Sequence, residues 1–138
     1  MSYELRAHTA DVAVAAEGST LDAVFAAVAD GLAAAMADSV PDDGERFSLE
    51  IRAESREAAL FDYLDELIYE RDVREVLPVD NRATIHRDGN GDEWVVGASA
   101  RGVPLAGLGA REVKAVTYSE MDLSETADGW RAYVVFDV

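Results

Sequence analysis

The residues with the clearest potential for chemistry lie near the two ends of the chain. His8 and Asp11 are three positions apart, and Asp137 is followed by Val138, whose α-carboxylate gives a second carboxylate on adjacent residues. Hard oxygen ligands of this kind favour Mg²⁺, Mn²⁺ or Ca²⁺ over zinc. A short His-x-x-Asp pair is more often a structural hydrogen bond than a site, and a strand end is more often only solvated. The two ends form a metal site only if the last strand pairs beside the first strands.

Lys114 stands out because the chain has eleven Arg residues and this single Lys. A position that keeps Lys where Arg is used elsewhere indicates a need for a compact ammonium group that can lose its proton. The alternatives are a solvated side chain at a strand start and a Lys left by chance. Beside a carboxylate cluster, Lys114 would balance the negative charge or contact an acidic group or a phosphate of a partner.

Nucleophilic catalysis is not expected from this sequence. The chain has no Cys, which excludes disulfides, thiol nucleophiles and thiolate zinc sites. Only His8 and His86 could act as a base, and the segment around His86 is typical of an exposed strand end. No Gly-x-Ser-x-Gly motif occurs, so a Ser-His-Asp triad is disfavoured. A small metal-dependent hydrolase acting alone would also lack an evident general base.

The acidic composition bears on the class of partner. There are 28 Asp and Glu against 12 Lys and Arg, a formal net charge of −16. This balance disfavours direct binding of RNA or DNA, because phosphate backbones are held mainly by Lys and Arg. With 49% hydrophobic residues, the charge belongs to the surface of a folded protein. Abundant carboxylates with one Lys are typical of a halophilic cytoplasm, where salt screens self-repulsion, and a GC-rich genome is the alternative explanation.

The first third of the chain predicts two strands and a helix. Alternating apolar residues predict strands over residues 3–8 and 11–17, joined by Thr9-Ala10. Ser19 and Asp22 resemble a capping box, which predicts the start of a helix that ends near Asp38. The apolar residues of this helix repeat at helical spacing, so one of its faces should pack on a sheet.

The rest of the chain predicts a strand, a second helix and four further strands. Residues 46–54 alternate as a half-buried strand does, and the second helix begins at Ser55, with its acidic residues on a solvated face. The last strands cover residues 82–87, 93–100, 113–123 and 130–138, with turns at 88–92 and 127–129 and a glycine-rich crossover at 102–109. The crossover lacks the Gly-Lys-Ser/Thr ending of a phosphate-binding loop.

This order of elements predicts an α+β protein in which two helices pack on largely antiparallel β-sheet. At 138 residues and without a linker, the chain should form a single domain over residues 1–138. No segment approaches the ~20 consecutive apolar residues of a membrane span, and the first residues lack the features of a secretory signal. We therefore expect a cytoplasmic protein without membrane contact.

Several segments, in this order along the chain, resemble the archease family. They are Tyr3-Glu4 with His8-Thr9-Ala10-Asp11, then Val113-Lys114-Ala115-Val116-Thr117-Tyr118, then Gly129-Trp130 with an end in Asp137-Val138. The segment Leu64-Asp65-Glu66-Leu67-Ile68-Tyr69 is also similar to the second helix of that family. The resemblance extends over essentially the whole chain, and it implies an archease-like fold.

The resemblance implies an accessory protein and not a stand-alone enzyme. Archeases assist the RtcB-type tRNA-splicing ligase, which joins RNA halves with GTP and a divalent metal. They promote guanylylation of the ligase's active-site histidine and allow repeated turnover. Carried over by position, the metal site of the family falls on Asp11 and Asp137, with main-chain oxygens of Val138. The functional lysine of the family falls on Lys114.

Two further residues lie in segments that resemble the family, and one residue of the family pattern is replaced in this chain. His8 belongs to the family motif and would orient Asp11 without binding the ion, and Glu66 is a weaker candidate for the same surface. The family often has Thr-Tyr-His where this chain has Thr117-Tyr118-Ser119, so a role for that histidine does not carry over. The alternative function is a chaperone or specificity modulator of RNA-modifying enzymes such as a tRNA methyltransferase, a role also proposed for archeases.

Overall fold

The structure, a computed structural model, describes residues 2–8 and 11–138. Within these residues the chain forms eight strands and two helices. In chain order the elements are β1 (Ser2–His8), β2 (Asp11–Gly18), α1 (Leu21–Met36), β3 (Glu45–Ala53), α2 (Arg56–Arg74), β4 (Val76–Arg87), β5 (Trp94–Pro104), β6 (Ala115–Val116), β7 (Asp122–Thr126) and β8 (Gly129–Asp137). Thr9-Ala10, the predicted link between the first two strands, lies outside the described residues.

The strands form two antiparallel sheets. In the larger sheet the order is β1-β2-β8-β6, and β7 also pairs with β8. In the three-stranded sheet β5 is central, between β3 and β4. Two helices and antiparallel strands confirm the predicted α+β class, although the strands divide between two sheets. The last strand, β8, lies within the larger sheet and pairs with β2, β6 and β7.

Helix α1 is the centre of the core. Eleven of its 16 residues are buried, and it contacts β2 of the larger sheet and β4 of the smaller one. A helix that is apolar on all sides belongs in a protein interior. The prediction that one face packs on a sheet was therefore too narrow. Gly31 allows the close approach to β2, since a Cβ atom there would lie 2.5 Å from Cγ1 of Val14.

The N-terminal cap of α1 is Thr20, and the prediction of a capping box from Ser19 was wrong. Thr20 Oγ1 accepts the backbone N–H of Ala23 at 3.0 Å. Asp22 has a different role, because its carboxylate accepts the backbone N–H of Ile85 at 2.8 Å and so joins α1 to β4. The helix ends at Met36, slightly before the predicted end.

Helix α2 begins where the sequence predicts. Ser55 is its cap, and Ser55 Oγ accepts the backbone N–H of Ala58 at 3.0 Å. Its buried face packs on the three-stranded sheet and also contacts β6. Tyr63 stacks on Phe25 of α1, with ring centroids 6.2 Å apart.

Strands β4 and β5 are longer than predicted. β4 begins at Val76 instead of residue 82, although Pro78 lies within it. Proline is tolerated there because β4 is an outer strand, where a missing N–H removes no central ladder bond. A bulge follows, with Asp80 at φ 49°. β5 continues through Pro104, so the first three residues of the predicted glycine-rich crossover are strand.

The single strand predicted over residues 113–123 is two strands. Between β6 and β7 the chain turns at Glu120, whose φ is 57°, and Met121 donates its N–H to the Tyr118 carbonyl at 3.1 Å. Both strands pair with β8, β6 near its end and β7 near its start. The turn therefore places residues 113–116 next to the last residues of β8.

Candidate functional site

Three of the predicted site residues are neighbours in the backbone pairing of the larger sheet, at the end of the sheet where β2 begins and β8 ends. β2 and β8 pair in a register that sets Asp11 opposite Asp137. β6 lies on the other side of β8, with Ala115 opposite Asp137, and the preceding Lys114 donates its backbone N–H to the Asp137 carbonyl at 2.8 Å. We call Asp11, Asp137 and Lys114 the carboxylate edge. The condition set by the sequence, that the last strand pairs beside the first strands, is met.

The register also fixes how the two carboxylates face each other. Residues directly opposite on antiparallel strands project from the same face of the sheet, with Cβ atoms about 4.5–5.5 Å apart. Asp11 is half-buried and Asp137 is exposed. Like charges in this position destabilise a sheet, and a hard cation between them relieves the repulsion. Carboxylate oxygens are ligands that Mg²⁺, Mn²⁺ and Ca²⁺ prefer, and the binding of such an ion by these two residues stays a prediction.

The carboxylate edge lacks a third acidic or histidine side chain among the residues described. Among the side chains that the structure describes, those of residues 2–5 and 11–138, no group of three or more His, Asp or Glu is arranged to hold a metal ion. Val138 is exposed and follows Asp137 directly, so its main-chain oxygens are close along the chain. His8 pairs with Asp11 in the β1–β2 register, and its side chain lies outside what the structure describes.

Lys114 is exposed at the start of β6. The residue before it, Val113, is buried, and its carbonyl accepts a hydrogen bond from Arg71 Nη1 at 2.6 Å. Arg71 belongs to α2 and is only 7% exposed; it also contacts Met36 Sδ at 3.2 Å and forms an ion pair with Asp72 at 2.9 Å. Arg71 therefore holds the segment that carries Lys114.

Sequence reasoning missed Arg71, although a signal was present. The buried residues of α2 follow helical spacing through Leu60, Leu64, Leu67 and Ile68, and Arg71 occupies the next position of that series. An arginine on an apolar stripe is buried only with hydrogen-bond partners, so its position predicts a structural contact.

A second arginine fixes the segment leading to Lys114. Arg111 donates its backbone N–H to the Met36 carbonyl at 2.7 Å, and its guanidinium bonds the Ala35 carbonyl at 3.1 Å and Asp38 at 3.0 Å. The last carbonyls of a helix have no partner within the helix. Arg111 supplies such partners at the end of α1, so the segment is bound to both helices before it reaches β6.

Glu66 is not brought to the carboxylate edge by any described contact. It lies on α2, half-buried, and its bonding neighbour is Glu70. Burial raises the pKa of Glu66, and the adjacent Glu70 raises it further. The place of Glu66 in the candidate site therefore stays a prediction.

The carboxylate edge is open to solvent. A surface cavity of about 400 Å³ lies elsewhere, lined by residues that include Phe47 and Arg74, and none of the three residues of the carboxylate edge lines it. Across residues 2–8 and 11–138, neither helix combines the length and the apolar character needed to cross a membrane.

The fold and the site together define the class of this protein. It is an antiparallel α+β protein with a pair of cross-strand carboxylates at an open edge. The model of the archease protein family (MTH1598/TM1083) matches residues 3–138. Archeases from Thermococcus gammatolerans and Methanosarcina acetivorans are 36% and 35% identical; each alignment covers 99% of this chain, and 98% and 95% of the relative. The chain belongs to the archease family.

Solved structures agree with this assignment. The solution structure of protein 1598 from Methanobacterium thermoautotrophicum superimposes with a TM-score of 0.81 at 28% identity, covering 99% of this chain and 98% of that one. The crystal structure of an archease from Thermotoga maritima, described as a possible chaperone, has a TM-score of 0.60 at 24% identity, with 98% of each chain covered. At that identity the second likeness shows the fold alone.

Proposed function

We propose that this chain is an accessory protein of an RtcB-type RNA ligase, which it helps to become guanylylated with GTP and to turn over repeatedly in tRNA splicing and RNA repair. Membership of the archease family supports this proposal. The observation that carries it is the carboxylate edge, where Asp11, Asp137 and Lys114 meet on an open surface. A substrate of an independent enzyme is normally enclosed in a concave site, whereas groups on an exposed edge can enter the pocket of a partner.

The residues of the edge suit work on phosphates. Asp11 and Asp137, with main-chain oxygens of Val138, would hold a divalent ion, which supplies positive charge for the phosphates of GTP when bound. Lys114 would add an ammonium group from the neighbouring segment, and the bond from its backbone N–H to the Asp137 carbonyl fixes the base of that side chain. The contribution of these residues is orientation and charge, without covalent chemistry of their own.

The test is guanylylation of the cognate ligase. Ligase, GTP and Mn²⁺ or Mg²⁺ are incubated with substoichiometric wild-type protein, and the ligase–guanylate product is measured over time. We expect strong stimulation that Asp11→Asn, Asp137→Asn and Lys114→Ala each reduce at least tenfold. Asp128→Asn and Arg82→Ala are matched controls, because each removes the same charge at an exposed position away from the edge.

The outcomes separate the explanations. No stimulation by folded wild-type protein, with a ligase that is active alone, would exclude the activator function. If all three variants of the carboxylate edge still stimulated the ligase, the activator function would stand and the carboxylate edge would be excluded as its site. Calorimetric titration with Mn²⁺ adds an independent readout, since Asp11→Asn should abolish binding that Asp128→Asn retains.

A second candidate function is a chaperone or specificity modulator of RNA-modifying enzymes such as a tRNA methyltransferase. The description of the Thermotoga maritima archease as a possible chaperone supports considering it. This function does not need the carboxylate edge. It predicts that Asp11→Asn and Lys114→Ala retain the ability to keep such an enzyme soluble.

A further inference from the structure

Helix α2 has an outer stripe that combines apolar and acidic residues. Asp62, Glu66, Tyr69, Glu70 and Val73 follow helical spacing and lie on one face of the helix. Tyr69 is 57% exposed and Val73 is 59% exposed, which is unusual for side chains of this size that lie one turn apart. We call these five residues the α2 stripe.

The acidic members of the α2 stripe lack enough positive neighbours. Glu66 and Glu70 are like charges four residues apart, a spacing that destabilises a helix. Glu70 forms an ion pair with Arg74 at 2.8 Å, and among the described side chains, those of residues 2–5 and 11–138, none forms an ion pair with Asp62 or Glu66. Burial raises the pKa of both Asp62 and Glu66. An external positive charge would therefore be favourable at this face.

The α2 stripe is connected to the carboxylate edge through the fold. The buried side of α2 contacts β6, and Arg71 on that side holds Val113, the residue before Lys114. At the other end of the helix, Phe61 stacks on Tyr118, with centroids 4.1 Å apart, and Tyr118 is 55% exposed. A partner seated on the stripe would thus be fixed relative to Lys114.

We propose that the α2 stripe is the surface that docks this protein on its partner, and that the partner presents an apolar pocket surrounded by Lys or Arg. Tyr69 and Val73 would enter the pocket, and Asp62 and Glu66 would face the basic rim. Charge complementarity favours this occupant, because a second copy of this chain, with net charge −16, would bring more negative charge to the same face. The proposal rests on the proposed function, in which the partner is the RNA ligase.

The first arm of the test removes the apolar contact. The double variant Tyr69→Ser with Val73→Ser is titrated into the ligase, and both the dissociation constant and the concentration for half-maximal guanylylation are measured. We expect both to rise at least tenfold, while stimulation at saturating concentration stays at the wild-type level. The control is Leu5→Ser, a 42% exposed side chain on β1, at the opposite edge of the larger sheet from β6.

The second arm reverses a charge and is independent of the first. Glu66→Arg and Glu125→Arg change the net charge equally, and Glu125 is an exposed residue of β7. We expect Glu66→Arg to weaken binding to the ligase, and Glu125→Arg to leave it near the wild-type value. The difference should be larger in about 0.1 M KCl than in about 1 M KCl, because salt screens exposed charges.

Each outcome distinguishes this inference from the proposed function. If the wild type stimulates the ligase and both stripe variants bind as tightly as their controls, the docking surface is wrong and the function stands. Stripe-dependent binding without stimulation supports the surface and rejects the activator function. If the wild type neither binds nor stimulates a competent ligase, both are rejected.

Discussion

Asp30 is a partly buried carboxylate of α1 that holds the bulge of β4. Its Oδ1 accepts the backbone N–H of Asn81 at 3.0 Å and the side-chain Nδ2 of Asn81 at 2.9 Å. Burial raises the pKa of Asp30 above the usual value of 3.8, outweighing the hydrogen bonds, which act in the opposite direction. Nearby, the buried hydroxyl of Tyr63 has a raised pKa for the same reason.

The raised pKa of Asp30 makes stability depend on pH. The folded state binds the proton of the Asp30 carboxyl more tightly than the unfolded chain does. The resulting contribution to the free energy of unfolding is fully present below pH 3.8 and is lost as the pH rises through the folded-state pKa. Asp30→Asn keeps an acceptor oxygen and removes the ionisation. We compare the free energy of unfolding of the wild type with that of Asp30→Asn. The difference, wild type minus variant, should fall as the pH rises from 3.8 through the folded-state pKa of Asp30, and it should stay level above that pH. Urea unfolding at a series of pH values measures it.

If the difference in the free energy of unfolding between the wild type and Asp30→Asn did not change with pH, burial would not shift the pKa of Asp30. The variant Asp30→Leu serves as a second check, because it leaves the backbone N–H of Asn81 without an acceptor and its Nδ2 with only the Pro78 carbonyl, at 3.4 Å. Each unsatisfied buried group costs about 1–3 kcal/mol, so this variant should be destabilised at every pH.

At the scale of elements, Arg71 is the contact by which α2 controls the segment before β6. Replacing it with Met keeps an apolar stem but leaves the Val113 carbonyl without its 2.6 Å donor. We expect Arg71→Met to lower the free energy of unfolding by about 1–3 kcal/mol. We also expect faster hydrogen exchange at the Lys114 N–H, which bonds Asp137.

Arg74→Met is the matched control for this prediction. Arg74 is on the same helix and also forms an ion pair, but its side chain is 45% exposed, and exposed ion pairs contribute about 0–1 kcal/mol. Equal effects of the two substitutions on Lys114 exchange would exclude a specific role of Arg71. If Arg71→Lys, unlike Arg71→Met, kept the wild-type free energy of unfolding and the wild-type exchange rate at Lys114, the positive charge alone would explain the role of Arg71.

The elements that local patterns specify are those that the sequence predicts well. Ser55 and the apolar stripe of α2 define that helix, and the turns at 88–92 and 127–129 define two hairpins. The start of β4 was missed because Pro78 and the Asp80-Asn81 pair are turn signals in isolation. Only the pairing of this segment with Pro104, Val103 and Gly102 of β5 makes it a strand, and that pairing is not local.

The candidate site shows the same division between local and non-local information. Residue types single out Asp11, Asp137 and Lys114, but their meeting depends on β8 pairing with β2 on one side and β6 on the other. Strand order comes from packing across the whole core, which sequence spacing does not contain.

At the scale of the whole molecule, the net charge of −16 makes stability depend on salt. Self-repulsion destabilises a compact state, and the Debye length falls from about 10 Å at 0.1 M to about 3 Å at 1 M salt. We expect the melting temperature to rise steadily with KCl over this range. Replacing the exposed Asp92, Glu125 and Asp128 by their amides should raise the melting temperature at low salt and flatten its salt dependence. Differential scanning calorimetry measures both effects.

The same charge explains why the α2 stripe needs its apolar residues. At high salt the attraction between acidic residues and a basic partner is screened, whereas the burial of Tyr69 and Val73 does not weaken. A docking surface made only of carboxylates would be selective in dilute buffer and weak in concentrated salt. We therefore expect the wild type to retain ligase binding in about 1 M KCl, and the Tyr69→Ser, Val73→Ser variant to lose most of it. Equal salt sensitivity of the two proteins would mean that charge alone holds the complex.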